Sequence, residues 1–179
     1  MELNKLTAIS PVDGRYRKQV EGMSKYFSEF GLIKYRVQVE IEYFIALCEI
    51  PLPQLSDVNS EVFDDLRNIY QSFSESDAAK VKEIEAVTNH DVKAVEYFLK
   101  EQIADNSELQ AVNEFVHFAC TSEDINNLSH GLMLSQARES VLLPLANRII
   151  DTLRQLAHEF AATPLLSRTH GQAASPSTV

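Results

Sequence analysis

The chain has 179 residues, 45% hydrophobic and 23% charged, with 5 Gly and 6 Pro; this fits one packed domain, or one with part of another, and excludes collagen-like and low-complexity disordered sequence. The formal net charge of −10 excludes sequence-independent nucleic-acid binding, which needs a basic surface, but leaves room for a locally positive site that takes a small anion. No apolar stretch reaches the length of a membrane span, the start MELNKLTAIS is not a basic-then-apolar export signal, and Cys48 and Cys120, each in an apolar run, read as buried free thiols, so a cytoplasmic location is expected by elimination.

Charge is uneven along the chain. Residues 61–110 carry 5 Lys/Arg against 12 Asp/Glu, whereas 1–60 carry 7 against 8 and 111–179 carry 4 against 6, so an anion site is expected to draw on the outer thirds. Residues 1–22 read as irregular, with SPVDGRY a turn. Phe27, Phe30, Val37, Ile41, Phe44 and Cys48 then mark one face of a helix over 24–49, ended by Pro51 and Pro53. Shorter helices are predicted at 59–72, 75–87, 89–104 and 108–119. Four helix starts carry the pattern of a capping box: Ser74 with Asp77, Thr88 with Asp91, Ser107 with Gln110 and Thr121 with Asp124. The last opens a long pattern from Ile125 to Phe160, a helix of about 38 residues and about 57 Å at 1.5 Å per residue, which Pro144 should kink. No strand is predicted, and Ser175–Val179 reads as the start of a further helix. The class is all-α: a small helical domain over 1–110, then the start of a long-helix bundle over 111–179. Nothing terminates that last helix, so a longer protein is expected.

Four segments mix hydroxyl, amide, His and Arg side chains at loops or helix starts. Arg15 offers a planar fork to a phosphate or carboxylate, beside the ring and hydroxyl of Tyr16; a solvated turn is the plain alternative. Thr88-Asn89-His90-Asp91 lies at a helix N-terminus, whose free amides and positive dipole end suit an anion, although Thr88 capping the helix beside an exposed His90 would explain it equally. Thr121 reads first as a cap, leaving the hydroxyl and amide of Ser122 spare for a carboxylate. In Ser167-Arg168-Thr169-His170-Gly171-Gln172 a His lies in a loop expected between two helices, where an imidazole can give or take a proton near neutral pH. His117 and His130 fall in apolar helical patterns and read as packing residues; His158 reads as solvated. No metal-ligand spacing, Gly-rich phosphate loop or dinucleotide fingerprint is present, so neither a metal nor a cofactor is expected.

SPVDGRY, TNHDVKAVEYFLK, FACTSEDINNLSH and LLSRTHGQ, in this order, resemble the adenylosuccinate lyase family of the fumarase/aspartase superfamily. The resemblance implies cofactor-free β-elimination of fumarate from adenylosuccinate, giving AMP, and from the succinylated imidazole-carboxamide nucleotide of purine synthesis. By position it makes His170 the general acid, with Thr121 and Ser122 holding the succinyl carboxylates. Arg15, Tyr16, Asn89, His90 and Asp91 match substrate-binding positions, with Arg15, Tyr16 and His90 near the phosphate. It further implies a homotetramer whose active sites draw on three subunits. The family's serine loop, S-S-x-M-P-x-K-x-N-P, does not occur in these 179 residues, so the chain alone is expected to be inactive.

Overall fold

Helix α3 (Glu29–Glu49) is the post around which the first part of the chain packs. The computed structural model describes residues 10–178 and divides into two compact units, Met1–Ala137 and Arg138–Val179; a boundary between 110 and 111 would fall inside the first. Two short turns of helix, α1 (Arg17–Val20) and α2 (Ser24–Phe27), precede α3. After it come α4 (Phe63–Gln71), α5 (Glu75–Thr88), α6 (Asp91–Gln102), α7 (Ser107–Ala111) and α8 (Ser122–Ala137). One side of α3 sends Ile33, Val37, Ile41, Phe44 and Ile45 against Leu66 of α4, Val81 of α5 and Val95, Phe98 and Leu99 of α6. Val39 joins a smaller cluster with Val92 of α6 and Ile125 of α8. An element covered on two sides is buried over most of its circumference, which is why α3 buries 11 residues along its 21, the charged Arg36 and Glu40 among them.

The helix expected over 24–49 is broken at Ser28, whose backbone is extended and whose hydroxyl accepts from Gly31 N–H, capping α3. Phe27 falls before the break and is 47% exposed, so it is not part of the buried face. Gly31 lets α2 fold back onto α3: a Cβ there would lie 2.5 Å from the carbonyl oxygen of Tyr26. Pro51 follows the helix end, as expected. The Ser74–Asp77 box forms in both directions. The Thr88 and Ser107 boxes do not: the caps are His90 and Asn106, the latter accepting from the amides of Glu108 and Leu109 at 3.0 and 3.1 Å. A helix over 108–119 does not form either. It stops at Ala111, is followed by a 3₁₀ turn at Asn113–Phe115, and meets left-handed backbone at His117 (φ 63°) and Ala119 (φ 58°), which no right-handed helix accommodates. Both cysteines are partly buried free thiols, and burial pushes Cys48 up to about 11.

Glu96 of α6 is gripped by Lys93 and Lys100 at 2.7 and 3.1 Å. Burial alone would raise its pKa, but the two ammonium groups outweigh burial and hold it below its ordinary 4.5. The folded chain therefore binds fewer protons here than the unfolded chain. The pair's contribution is complete above about pH 4.5 and is lost as pH falls through the depressed value. Thermal melts at stepped pH should show a steeper acid loss for the parent chain than for Glu96→Gln; parallel curves would contradict this.

The second unit opens with a π-helical stretch, Arg138–Leu142, followed by α9 (Leu143–Glu159) with Pro144 in its first turn. A long helix from Ile125 to Phe160, kinked by Pro144, was the expectation, and the interruption does fall just ahead of that proline. Pro144 has no N–H, and its ring would strike the carbonyl of Ser140, so the α-ladder gives way ahead of it. Leu145, Ile149, Leu153 and Leu156 line one exposed side of α9. Strands β1 (Pro164–Thr169) and β2 (Gln172–Thr178) then pair antiparallel. This hairpin corrects two expectations, that no strand occurs and that Ser175 begins a helix. Its two-residue loop is His170-Gly171, with φ 49° and 77°, the pair of positive values of a type I′ turn. Ala174 and Ser175 bulge opposite Ser167. Among the described residues the other regular elements are helices, and no helix is long and apolar enough to cross a membrane.

Candidate anion-binding site

The first unit sets two helix starts side by side. At the end of α5, Asn89 takes a left-handed conformation (φ 51°) and stops the helix, as short polar residues do at that position. His90 is extended and caps α6: its Nδ1 accepts from Lys93 N–H at 3.1 Å. A ring nitrogen that accepts carries no proton, so the imidazole proton sits on Nε2, which faces Ser122 Oγ, the first residue of α8, at 3.5 Å. Thr88 is the last residue of α5; its hydroxyl accepts from His90 N–H and donates to His90 O. At α8, Asp124 accepts from both the amide and the hydroxyl of Thr121, at 2.8 and 3.0 Å, and those two bonds hold its carboxyl below the usual range. Only the acidic arm of the expected box forms, since the Thr121 hydroxyl donates instead of capping an amide.

What locks the two starts together is a side chain of α3. Arg36, 5% exposed, gives Nη2 to Asp91 Oδ2 at 2.6 Å and Nε to Asn126 Oδ1 at 2.9 Å. Asp91 is the first residue of α6 and Asn126 lies in the first turns of α8. Burial would raise Asp91, but the Arg36 charge and the Val92 amide outweigh it and hold it ionised below its ordinary value. One helical turn on, Glu40 Oε1 meets His117 Nδ1 at 2.6 Å; one turn further, Tyr43 donates to Phe118 O at 2.8 Å. Arg36, Glu40 and Tyr43 thus form a polar stripe along α3 that supports the loop before Thr121.

The structure therefore brings together Asn89, His90, Asp91, Thr121 and Ser122. Both helices direct their amide-bearing, positive ends to this place, which suits a carboxylate or phosphate. Arg15 and Tyr16 stand exposed in the turn before α1, the guanidinium 5.2 Å above the ring; among the described residues no hydrogen bond ties either to α6 or α8. His170 belongs to the second unit, exposed at the hairpin turn instead of between two helices. A groove of about 650 Å³ between α5 and α6 includes none of the predicted site residues, only the neighbouring Thr88.

Pattern reasoning does not pick out Arg36, Glu40 or His117. His117 is not in a helix but in left-handed backbone, paired with a buried carboxylate, and His130 is exposed on α8 instead of packed. The signal available was Glu40, a charge at the spacing of Ile33, Val37 and Phe44 and so on the buried face of α3.

A family model described as Lyase matches residues 14–179. The chain is similar to the adenylosuccinate lyase of Vibrio cholerae serotype O1 (56% identical over 180 residues), to that of Escherichia coli strain K12 (54% over 180) and to that of Dictyostelium discoideum (54% over 187). Each alignment covers 100% of this chain and 40%, 40% and 39% of the relative, so the chain spans about two fifths of the length of these relatives.

Proposed function

Because the chain belongs to the lyase family, we propose that the complete protein is an adenylosuccinate lyase, a C–N lyase that expels fumarate from adenylosuccinate to leave AMP. It acts likewise on the succinylated imidazole-carboxamide nucleotide of purine biosynthesis. The reaction needs no cofactor. A base takes the proton beside one succinyl carboxylate, the electron pair spreads into that carboxylate as an aci-anion, the C–N bond breaks, and an acid protonates the departing nitrogen. His170 is that acid. Thr121 and Ser122 hold succinyl carboxylates at the start of α8, Asn89, His90 and Asp91 bind substrate at the start of α6, and Arg15, Tyr16 and His90 take the nucleotide phosphate. The observation that carries this is the meeting of the α6 and α8 starts, with His90 Nε2 3.5 Å from Ser122 Oγ, in a chain whose whole length aligns with enzymes of that name.

The exposed apolar side of α9, from Leu145 to Leu156, is a surface of the kind proteins cover by association. It supports a homo-oligomer, read here as a tetramer in the cytoplasm, with the bundle beginning after residue 110.

The test is purified complete protein with adenylosuccinate. Equal amounts of fumarate and AMP should appear, argininosuccinate should remain uncleaved, and the 179-residue chain alone should release no fumarate. A complete protein that leaves adenylosuccinate untouched would refute the assignment.

A further inference from the structure

Among the described residues, Glu40 Oε2 is the one buried side-chain polar atom without a hydrogen-bond partner. Glu40 is 0% exposed in the middle of α3, and its Oε1 meets His117 Nδ1 at 2.6 Å. A buried carboxylate with one bare oxygen stabilises a fold poorly; an apolar side chain of the same shape would avoid the desolvation. The backbone adds to the cost, since His117 and, two residues on, Ala119 both have positive φ. Strain of this kind persists where the surroundings over-determine it, and such places cluster at functional sites. This one directly precedes Thr121-Ser122, and the charge of His117 reaches Asp124, which holds Thr121. His117 is partly exposed, and its Nε2 is not among the buried unpaired atoms, so that nitrogen is open toward solvent or ligand.

The other groups facing Glu40 fix the charge the pair can carry. Glu96 of α6 adds a like charge, itself held by Lys93 and Lys100, and Tyr43 and Cys120 carry no positive charge. Among the described residues no cation-forming group besides His117 bonds to Glu40; Arg36, one turn earlier on α3, is taken up by Asp91 and Asn126. Burial accordingly keeps Glu40 above the usual carboxylate range, with the His117 contact pulling the other way.

We propose that Glu40 is a positioning residue: it holds the His117 ring by Nδ1 so that Nε2 faces the anionic site. An Oε1–Nδ1 contact of this kind fixes which ring nitrogen is left for a ligand. Glu40's role so stated rests on the lyase activity proposed above, and that activity fails or stands with the unaltered complete protein, before any Glu40 variant is compared.

In the complete protein, Glu40→Met removes the clamp and keeps the length of the side chain. Its kcat/KM should fall roughly 10- to 100-fold, the effect of losing one hydrogen bond to a charged group, mostly through KM and with no fall in melting temperature. Glu40→Gln can still bond Nδ1 and so hold the ring; it should stay within about threefold of the parent, the scatter of an ordinary context effect. In a Glu40→Met/His117→Gln double variant the loss should equal that of His117→Gln alone. The proposal is overturned if Glu40→Gln loses as much as Glu40→Met, if Glu40→Met leaves kcat/KM unchanged, or if the double variant multiplies the two losses. Should Glu40→Met not fold, the isosteric Glu40→Gln still decides between a required hydrogen bond to Nδ1 and a required charge.

Discussion

Replacing His170 by Asn in the complete protein is expected to lower kcat for adenylosuccinate cleavage by about 10²–10⁴-fold, the usual worth of a positioned general acid, with little change in melting temperature. Asn is the informative substitution because of the backbone. His170 has φ 49° and Gly171 φ 77°. Asn tolerates that left-handed position better than Ala does, and Asn-Gly is the preferred pair for a type I′ turn. The β1–β2 hairpin therefore keeps its register, Thr169 opposite Gln172, while the only titratable group at its tip is gone. A loss of rate without a loss of folding separates proton transfer from scaffolding. If the Asn variant turns over at the parent rate, His170 is not the acid.

Removing the ring of Phe98 should cost about 3–5 kcal/mol of stability, the range for deleting a buried aromatic side chain. Phe98 is 1% exposed and stands edge-on to Phe73 at 5.8 Å between ring centroids, with Phe30 tilted against Phe73 at 5.7 Å. The site is hemmed in by α3, so Phe98→Ala leaves a cavity instead of a collapse. Urea unfolding of the chain should show a lower midpoint with an unchanged slope. Because α6 also carries His90 and Asp91 at its start, the same variant should weaken substrate binding only to the extent that it unfolds the unit. A loss under 1 kcal/mol would mean that this core is looser than its burial indicates.

The sequence by itself determined several of the helices. Period-3.6 apolar spacing located α4, α5 and α6 to within a few residues, Pro51 marked the end of α3, and the Ser74–Asp77 box formed as its spacing requires. These are local effects, decided by neighbours three or four residues away. Asn89, His90, Asp91, Thr121 and Ser122 were visible as polar residues at helix starts, although not as neighbours. Tertiary structure alone decided the rest. Arg36 finds Asp91 and Asn126 at separations of 55 and 90 residues, and Glu40 finds His117 at 77. No window of sequence contains both partners of such a pair. The β1–β2 hairpin escaped for a different reason: its strands lack alternation because both faces are exposed, and its turn uses His where Asn is the usual signal. Spacing along one helix is enough to say which face turns inward; which charge meets which across the core depends on how the helices are laid against each other.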